Sequence, residues 1–353
     1  MLDLTNLVAL AIATANAERN SAVAYSFNGE NYSYNQLDET LRKELNELVG
    51  SPALYRENCN TLFALIEQTV TEVLPQKVAD VYQNFAEVKT IGQGDRAIFR
   101  RKINSKTRAK QFITRVGLAG VYEVFKLGGT ESFEVPTSAI GGAAQIGIEE
   151  FLDGRVNFND LIEIVMDGLE EVIQLEVAEA MKASINQLPA VNRVDWAGFD
   201  VQEFDRLLTI ADSYGKATIY CDSLFAATIM PDNIQMMSEG MKNTLWEKGY
   251  FTSYKNHNVV ILPNGVKDER NSSLMNDPSY AWIIPAGANT KPAYIAIEGN
   301  TMVDERKNAD WSRDIQVYKK VGVGVLLTND ICVYHNTDLK QELTPKVSPT
   351  PSY

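Results

Sequence analysis

The chain has 353 residues, of which 45% are hydrophobic, and a formal net charge of −13 at pH 7. This length predicts two or three domains with real hydrophobic cores, or one large elaborated domain. The acidic balance argues against a protein built to coat nucleic acid. Three distant cysteines without CxxC spacing argue against a disulfide framework and favour a reducing compartment.

The N-terminal sequence MLDLTNLVALAIATANAERN contains a short apolar run, Leu7 to Ala13, with no basic segment before it. It predicts an amphipathic helix rather than a signal peptide, and no early cleavage signal is visible. No apolar run in the chain reaches the ~18 residues of a membrane span. We therefore expect a soluble protein, made in the cytoplasm, with no membrane partner.

Residues 1–85 are predicted to be mostly helical, with one β-hairpin. Asn28-Gly29, set between alternating aromatic residues, is a strong hairpin signal. A helix is expected over about 36–49. A second helix is expected over 51–74, with Pro75 ending it because proline cannot donate a helical hydrogen bond.

Residues 86–135 predict an extended, glycine-bounded β-loop that is too polar to bury a core by itself. Strands are expected near 96–103, 109–116 and 120–127. The loop concentrates positive charge, with Asp95 as the only acid beside it. Its eight basic residues are Arg96, Arg100, Arg101, Lys102, Lys106, Arg108, Lys110 and Arg115.

This basic cluster has two interpretations. A nucleic-acid patch would explain the charge, but aromatic residues for base stacking are few, with only Phe99 and Phe112 among the basic positions. The other interpretation is a protein partner of opposite charge.

Asn157 to Leu188 predicts one very long helix, with Asn157 as N-cap and Pro189 blocking continuation. At ~1.5 Å per residue it would span roughly 46 Å, which suggests a structural spine. Its first half is strongly acidic: Asp160, Glu163, Asp167, Glu170 and Glu171. The basic loop of a neighbouring copy lying across this face would suit both charges, and a solvated acidic face is the alternative.

Residues 196–290 predict a compact α/β or α+β domain. A helix over 200–213 has Phe204, Leu207, Leu208 and Ala211 on one face. A buried strand over 216–221 follows, then helices from Asp222 and over 233–248, and strands at YFTSY and NVVILPNG. The last third is β-rich (WIIPAG, AYIAIEG, 314–328 and 331–335), and its proline-rich tail is expected to be flexible.

The sequence contains few residue patterns that indicate catalysis or ligand binding. HExxH, Gly-x-Ser-x-Gly and Walker sequences are absent. Gly92-Gln93-Gly94 is best explained as a turn, and Cys221 as a buried core thiol. His257 is expected on the surface between two strands, whereas His335, which ends a strand, is left open.

The acid pairs Asp268-Glu269 and Asp304-Glu305 lack the spacing of a calcium loop and are expected to be solvated. The sequence therefore predicts no enzyme, no catalytic residue, no cofactor and no metal site.

The order of these elements resembles the major capsid proteins of tailed bacteriophages, whose Hong Kong phage-type fold is shared with encapsulins. GQGDRAIFRRK resembles entry into the extended loop of that fold, and VPTSAIGGAAQIGIEEFLDGRVNFNDLIEIVMDGLEEV its return into the spine helix. FDRLLTIADSYGKATIYCDSLFAATI resembles the axial core, and DIQVYKKVGVGVLLTNDICVYH the closing strands. The resemblance covers about residues 86–336.

The resemblance implies an α+β fold with a helical N-terminal arm, an extended β-loop, a long spine helix, an α/β axial domain and a β-rich peripheral domain. The corresponding boundaries are 1–85 for the arm, 86–135 for the loop, 136–195 for the peripheral domain with its spine, 196–290 for the axial domain, 291–336 for the closing strands and 337–353 for the tail.

The implied function is a major capsid protein that self-assembles through hexamers and pentamers into an icosahedral shell enclosing double-stranded DNA. The implied partners are other copies of the chain, portal, scaffold and decoration proteins, and packaged DNA without sequence-specific contact. The implied location is the virion, after assembly in the host cytoplasm. An encapsulin-like shell and a soluble enzyme with an unusual site are the alternatives.

Two features depart from the family pattern. No sequence pattern here matches the covalent cross-link between a loop lysine and a peripheral asparagine that some members form, and we do not predict one. Residues 1–85 are longer and more helical than a simple arm, so three roles stay open for them: an internal scaffold, a clamp on a neighbour, or a separate small domain.

Overall fold

The computed structural model of the chain describes residues 4–17, 25–27, 30–82, 85–102, 130–146, 158–229, 239–262, 264–268, 270–286, 291–307 and 313–343. The described helices are α1 (Leu4–Asn16), α2 (Tyr34–Val49), α3 (Pro52–Tyr82), α4 (Phe158–Ser184), α5 (Val201–Asp212), α6 (Ser223–Thr228) and α7 (Glu239–Lys248). Helix α4 is the predicted spine helix.

The described strands are β1 (Tyr25–Phe27), β2 (Glu30–Tyr32), β3 (Ala86–Ile91), β4 (Ala97–Lys102), β5 (Thr130–Val135), β6 (Ser138–Ile146), β7 (Arg193–Trp196), β8 (Lys216–Cys221), β9 (Ser253–Tyr254), β10 (His257–Ile261), β11 (Tyr280–Ala286), β12 (Ala293–Lys307), β13 (Arg313–Val325) and β14 (Cys332–Asn336). The chain is thus an α+β protein. It divides into a first unit of residues 1–98, 134–174 and 293–324, and a second unit of the intervening segments and the C-terminal end.

The first unit begins with three helices that pack on one another. In α2 the buried positions Leu37, Leu41, Leu45 and Leu48 recur every three or four residues, which is the helical period. Ser33 begins the helix, and its backbone N–H donates to the side chain of Gln36, as in a capping box. The predicted hairpin between α1 and α2 is confirmed, with β1 and β2 antiparallel.

Helix α3 corrects the prediction that Pro75 ends a helix. Pro75 lies inside α3, which continues to Tyr82. The buried apolar face continues on both sides of the proline: Val70, Val73, Leu74 and Val78 are all fully buried. Burial of this face outweighs the one backbone hydrogen bond that proline removes.

Replacing Pro75 by Ala is expected to raise the thermal unfolding midpoint of the chain. Alanine restores the N–H that can bond to the carbonyl of Thr71 and is a better helix former than proline by roughly 3 kcal/mol in an unstrained interior. Differential scanning calorimetry of the purified chain measures the change, with the exposed Asp80→Ala in the same helix as control. A lower midpoint for Pro75→Ala would show that the proline ring itself fills an essential space.

Helix α3 also packs against β12 and β3 of the four-stranded sheet of the first unit, whose strand order is β3-β12-β13-β6. Two side chains of α3 bond to β12: Thr71 Oγ1 accepts from the Thr301 N–H at 2.9 Å, and Glu67 accepts from the Val303 N–H at 2.8 Å. Strand β12 runs parallel to β3, and β13 runs antiparallel to β6. Residues 293–297 are fully buried, so this part of β12 forms the centre of the unit.

Lys319 is a lysine buried in this sheet, with 1% of its surface exposed. Its Nζ donates to the carbonyl of Gly299. Burial disfavours the charged ammonium and lowers the pKa of Lys319 to about 8, from an ordinary 10.5.

This lowered pKa predicts a pH dependence of stability. Between pH 8 and 10.5 the unfolded chain binds more protons at Lys319 than the folded chain does, so the folded state gains stability as pH rises. As the pH is raised from 8 to 10, the free energy of unfolding of the wild type should therefore increase relative to that of Lys319→Met. Denaturant unfolding of both proteins at each pH tests this. If the difference in unfolding free energy between the two proteins stayed constant with pH, the pKa of Lys319 would be the same in the folded and the unfolded chain.

The second unit contains a six-stranded sheet of order β7-β14-β11-β8-β10-β9. Strand β8 is central, parallel to β10 and antiparallel to β11. Ile219 lies in register with Val259 on one side and Ile283 on the other, and all three are buried. The core is thus built on alternate residues of adjacent strands.

Helix α5 packs against this sheet by the predicted face, because Phe204, Leu207, Leu208 and Ala211 are all buried. Asp200 caps its first turn by accepting the Glu203 N–H at 2.8 Å. Asp222 caps α6 in the same way and also accepts from Asn264 at 2.7 Å. The predicted strand over 216–221 and the helix beginning at Asp222 are therefore confirmed.

Two further predictions need correction. The α-helical part of the spine ends at Ser184, and the chain tightens into a single 3₁₀ turn, Ile185–Gln187, before Pro189. His257, expected on the surface, begins β10 with only 13% of its side chain exposed. Its ring nitrogens lie 3.1 Å from the Ala217 carbonyl and 3.4 Å from Asp212.

Several predictions lie outside the described residues. These are the strands near 109–116 and 120–127, the N-cap at Asn157, the first part of the helix over 233–248, and residues 344–353 of the tail. The prediction of a flexible tail is wrong for its first residues, because the Leu343 N–H donates to the Ser272 carbonyl at 2.8 Å and the Gln341 carbonyl accepts from the Leu274 N–H at 3.0 Å. Within the part of the chain that the structure describes, no helix is both long and apolar enough to cross a membrane.

Candidate assembly surface

The spine helix has one buried stripe and one acidic face. Met166, Leu169, Ile173, Val177 and Met181 are buried and recur every three or four residues, which places them along one side of the helix. The acidic residues lie between these positions. Of these acids, Asp167 and Glu171 lie on the exposed side of the helix.

The five predicted acidic residues all belong to α4. Asp160 and Glu163 lie on the described backbone, but their side chains are outside the described part. Asp167 and Glu171 are exposed and Glu170 is half-buried. The Oδ1 of Asp167 lies 4.0 Å from the Nζ of Lys77 on α3, a distance at which an exposed pair contributes little to stability.

Glu170 has a different environment from its two neighbours. Burial raises the pKa of Glu170, Lys77 opposes the shift, and Asp167 and Glu171 add to it. Burial and the Glu170 carboxylate likewise raise the pKa of Tyr82 at the end of α3. Glu170 is therefore partly covered within its own subunit, whereas Asp167 and Glu171, the other two described acids of the predicted set, are exposed.

The basic loop is described only at its two ends. Strands β4 and β5 pair there, and Phe99 and Phe133 stack with centroids 6.0 Å apart. The side chain of Arg96 is 76% exposed and lies 3.7 Å from Glu134, and Arg100 is exposed. Arg101 and Lys102 belong to β4, but their side chains are outside the described part. The other four basic residues lie entirely outside it: Lys106, Arg108, Lys110 and Arg115.

The carboxylate of Glu298, which was not predicted from the sequence, lies beside both the start and the end of this loop. Glu298 of β12 is 4% exposed. One of its oxygens accepts from the Gly94 N–H at 2.9 Å and from Lys320 Nζ at 3.2 Å, and the other accepts from the hydroxyl of Thr137. These three donors hold the pKa of Glu298 near 2, well below its ordinary value.

An apolar groove of about 210 Å³ runs between β6 and the spine helix. Small residues of β6 such as Gly141 and Gly142 form one wall, and Ile164 and Val172 of α4 form part of the other. Ile164 is 65% exposed. The uncharged run SAIGGAAQI was the only sequence signal that could have indicated this groove.

The residues that the sequence analysis considered for catalysis or cofactor binding have structural roles in the fold. Cys221 is buried, and burial with the neighbouring Asp222 raises the pKa of its thiol to about 12. Gly92–Gly94 forms a turn, as predicted, with Gly94 at φ +82°. The ring of His335 stacks on Tyr280 at 4.4 Å and its Nδ1 lies 2.9 Å from Asp195. No group of metal-ligating side chains gathers among the residues that the structure describes.

Among solved structures, the chain is similar to the capsid of a native GTA particle, with 13% identity over 72% of this chain and 89% of that one and a TM-score of 0.47. A structure from Mycobacterium phage Ogopogo has 11% identity over 75% and 92% of the two chains, with a TM-score of 0.46. The SrpI encapsulin from Synechococcus elongatus PCC 7942 has 9% identity over 77% and 89%, with a TM-score of 0.43.

No curated protein matches the sequence significantly. The model of one protein family does match, over residues 4–334, and this family is described as SPbeta prophage-derived putative capsid protein YonB. The match includes the N-terminal helices, the spine helix and both sheets. The chain therefore belongs to this family, the SPbeta prophage-derived putative capsid protein YonB.

Proposed function

We propose that the chain is the major capsid protein of a tailed phage or prophage. The observation that carries this proposal is the match to a capsid protein family over almost the whole chain, residues 4–334. Copies of the chain form hexamers and pentamers that close into an icosahedral shell around double-stranded DNA. The chain thus acts by assembly and not by catalysis, and it resides in the virion after assembly in the host cytoplasm.

The proposed partners follow from this role. Other copies of the chain are the main partner, and portal, scaffold and decoration proteins complete the particle. Contact with packaged DNA is not sequence-specific, and it is limited in extent because the net charge of −13 disfavours a broad DNA-binding surface.

We propose further that the basic loop of one copy lies on the acidic face of the spine helix of its neighbour. Asp167 and Glu171 are exposed on that face, and Arg100 is exposed on the loop. Complementary charges of this kind guide association and set the register between subunits more than they add raw affinity.

The first experiment is to purify the chain alone and examine it by size-exclusion chromatography over a concentration series and by negative-stain electron microscopy. Closed shells, tubes, or rings of five and six support the proposal. A strict monomer at high concentration, unchanged by coexpression with a scaffold protein, would contradict it.

The contents of the purified particles distinguish a phage capsid from an encapsulin-like shell. Particles that package double-stranded DNA in the phage context fit a capsid. Particles that enclose a cargo protein and never DNA would favour the encapsulin-like alternative.

A further inference from the structure

The two ends of the basic loop converge on one buried carboxylate. The chain enters the loop through the turn at Gly94, shortly before β4, and leaves it at Thr137, shortly after β5. Glu298 accepts a hydrogen bond from each of these residues. Gly94 and Thr137 are far apart in sequence, so Glu298 closes the loop at its base.

The carboxylate is itself held in place. Lys320 of β13 lies 3.2 Å from the oxygen that accepts the Gly94 N–H. Glu298 is 5% exposed at the side chain, whereas Lys320 is 41% exposed. Hydrogen bonds to an ionised carboxylate are stronger than neutral ones, and they gain further strength where water is excluded.

The local backbone is shaped for this contact. Gly94 has φ +82° and Gly299, next to Glu298, has φ +61°, both in the region that favours glycine. A Cβ added at Gly299 would lie 3.2 Å from the Cβ of Gln93. A side chain at residue 299 would therefore be strained by its positive φ and would require Gln93 to shift by a few tenths of an ångström.

We propose that Glu298 is a positioning residue that ties the entry and the exit of the basic loop to the central sheet. Gly94, Thr137 and Lys320 supply the three donors. The carboxylate thereby limits how the base of the loop can move, while the loop itself carries the charges that meet a partner.

Hydrogen–deuterium exchange on the full-length protein tests this directly. In Glu298→Ala, the amides of Gly94 to Ile98 and of the segment around Thr137 should exchange roughly tenfold faster or more, because a charge-assisted hydrogen bond is lost at each end. The amides of Ile295 and Ile297 in β12 should keep their protection. Trypsin cleavage after Arg96 should accelerate in parallel. Glu87→Ala, an exposed carboxylate on β3, is the matched control.

A second pair of variants separates the two ends and does not depend on Glu298→Ala folding. Thr137→Val removes only the hydroxyl, so exchange should accelerate at the exit while the Gly94 amide stays protected. Thr137→Ser keeps the hydroxyl and should restore the wild-type pattern.

Uniform acceleration across β12 and β13 in Glu298→Ala would show a general role in sheet stability and would overturn the proposal. Unchanged exchange at the exit in Thr137→Val would overturn it as well. These measurements do not depend on the proposed function. Thr137→Val should also lower the yield of closed shells, and this one expectation rests on the proposed function. Wild-type protein that forms no shells would contradict the proposed function and leave the exchange result standing.

Discussion

Replacing Arg100, Arg101 and Lys102 together by Glu is expected to leave the subunit folded and to abolish assembly into closed shells. These residues belong to β4 at the start of the basic loop. The reversal sets like charges against the acidic face of a neighbouring spine helix, and like-charge contacts across an interface cost several kcal/mol. Circular dichroism measures folding, and sedimentation velocity with negative-stain microscopy measures assembly.

The matched control reverses three exposed lysines elsewhere, Lys216, Lys248 and Lys340, which changes the net charge by the same amount. This control should assemble at close to the wild-type yield. Adding Asp167→Lys and Glu171→Lys to the loop reversal should partly restore assembly, because the charges again become complementary. A loop variant that forms normal shells, or a control that fails as completely, would disprove the charge-pairing idea.

Replacing Phe204 by Ala is expected to reduce the free energy of unfolding of the second unit by roughly 3–5 kcal/mol. Phe204 is fully buried, and its ring contacts Phe199, Tyr254 and Tyr334 at centroid distances of 5.0 to 5.5 Å. Removing the ring leaves a cavity among side chains that cannot close around it. Denaturant unfolding of the unassembled chain, followed by tryptophan fluorescence, measures the loss.

Val201→Ala is the control for this prediction, because Val201 lies on the same helix and is 46% exposed. Its effect should stay within about 0.5 kcal/mol. A loss below about 1 kcal/mol for Phe204→Ala would mean that the aromatic cluster repacks without a cavity.

Elements with a clear local pattern could be predicted from the sequence. Helix α5 shows the helical period in its buried residues, and Asp200 and Asp222 have the side chains that cap helices. The strand over 216–221 is short, apolar and bounded by Gly215 and Asp222. In each case the signal lies within a dozen residues, so no knowledge of distant contacts is needed.

Other features depend on contacts between distant parts of the sequence and could not be predicted locally. Pro75 is a helix breaker by itself, but α3 is held by its buried face and by bonds to β12. His257 is polar, yet its ring contacts Asp212 and the Ala217 carbonyl. Glu298 shows no motif, because its three donors come from three separate segments. The charge pairing between loop and spine was predicted from composition and stays a prediction.

Helix α3 has a consequence for truncation. It packs with α1 and α2 and also against β12 and β3, so one continuous helix joins the N-terminal helices to the four-stranded sheet. Removal of α3 would also remove Thr71 and Glu67, whose side chains accept hydrogen bonds from the backbone of β12. We therefore expect a chain that begins after Tyr82 to have a markedly less stable first unit than the full-length protein.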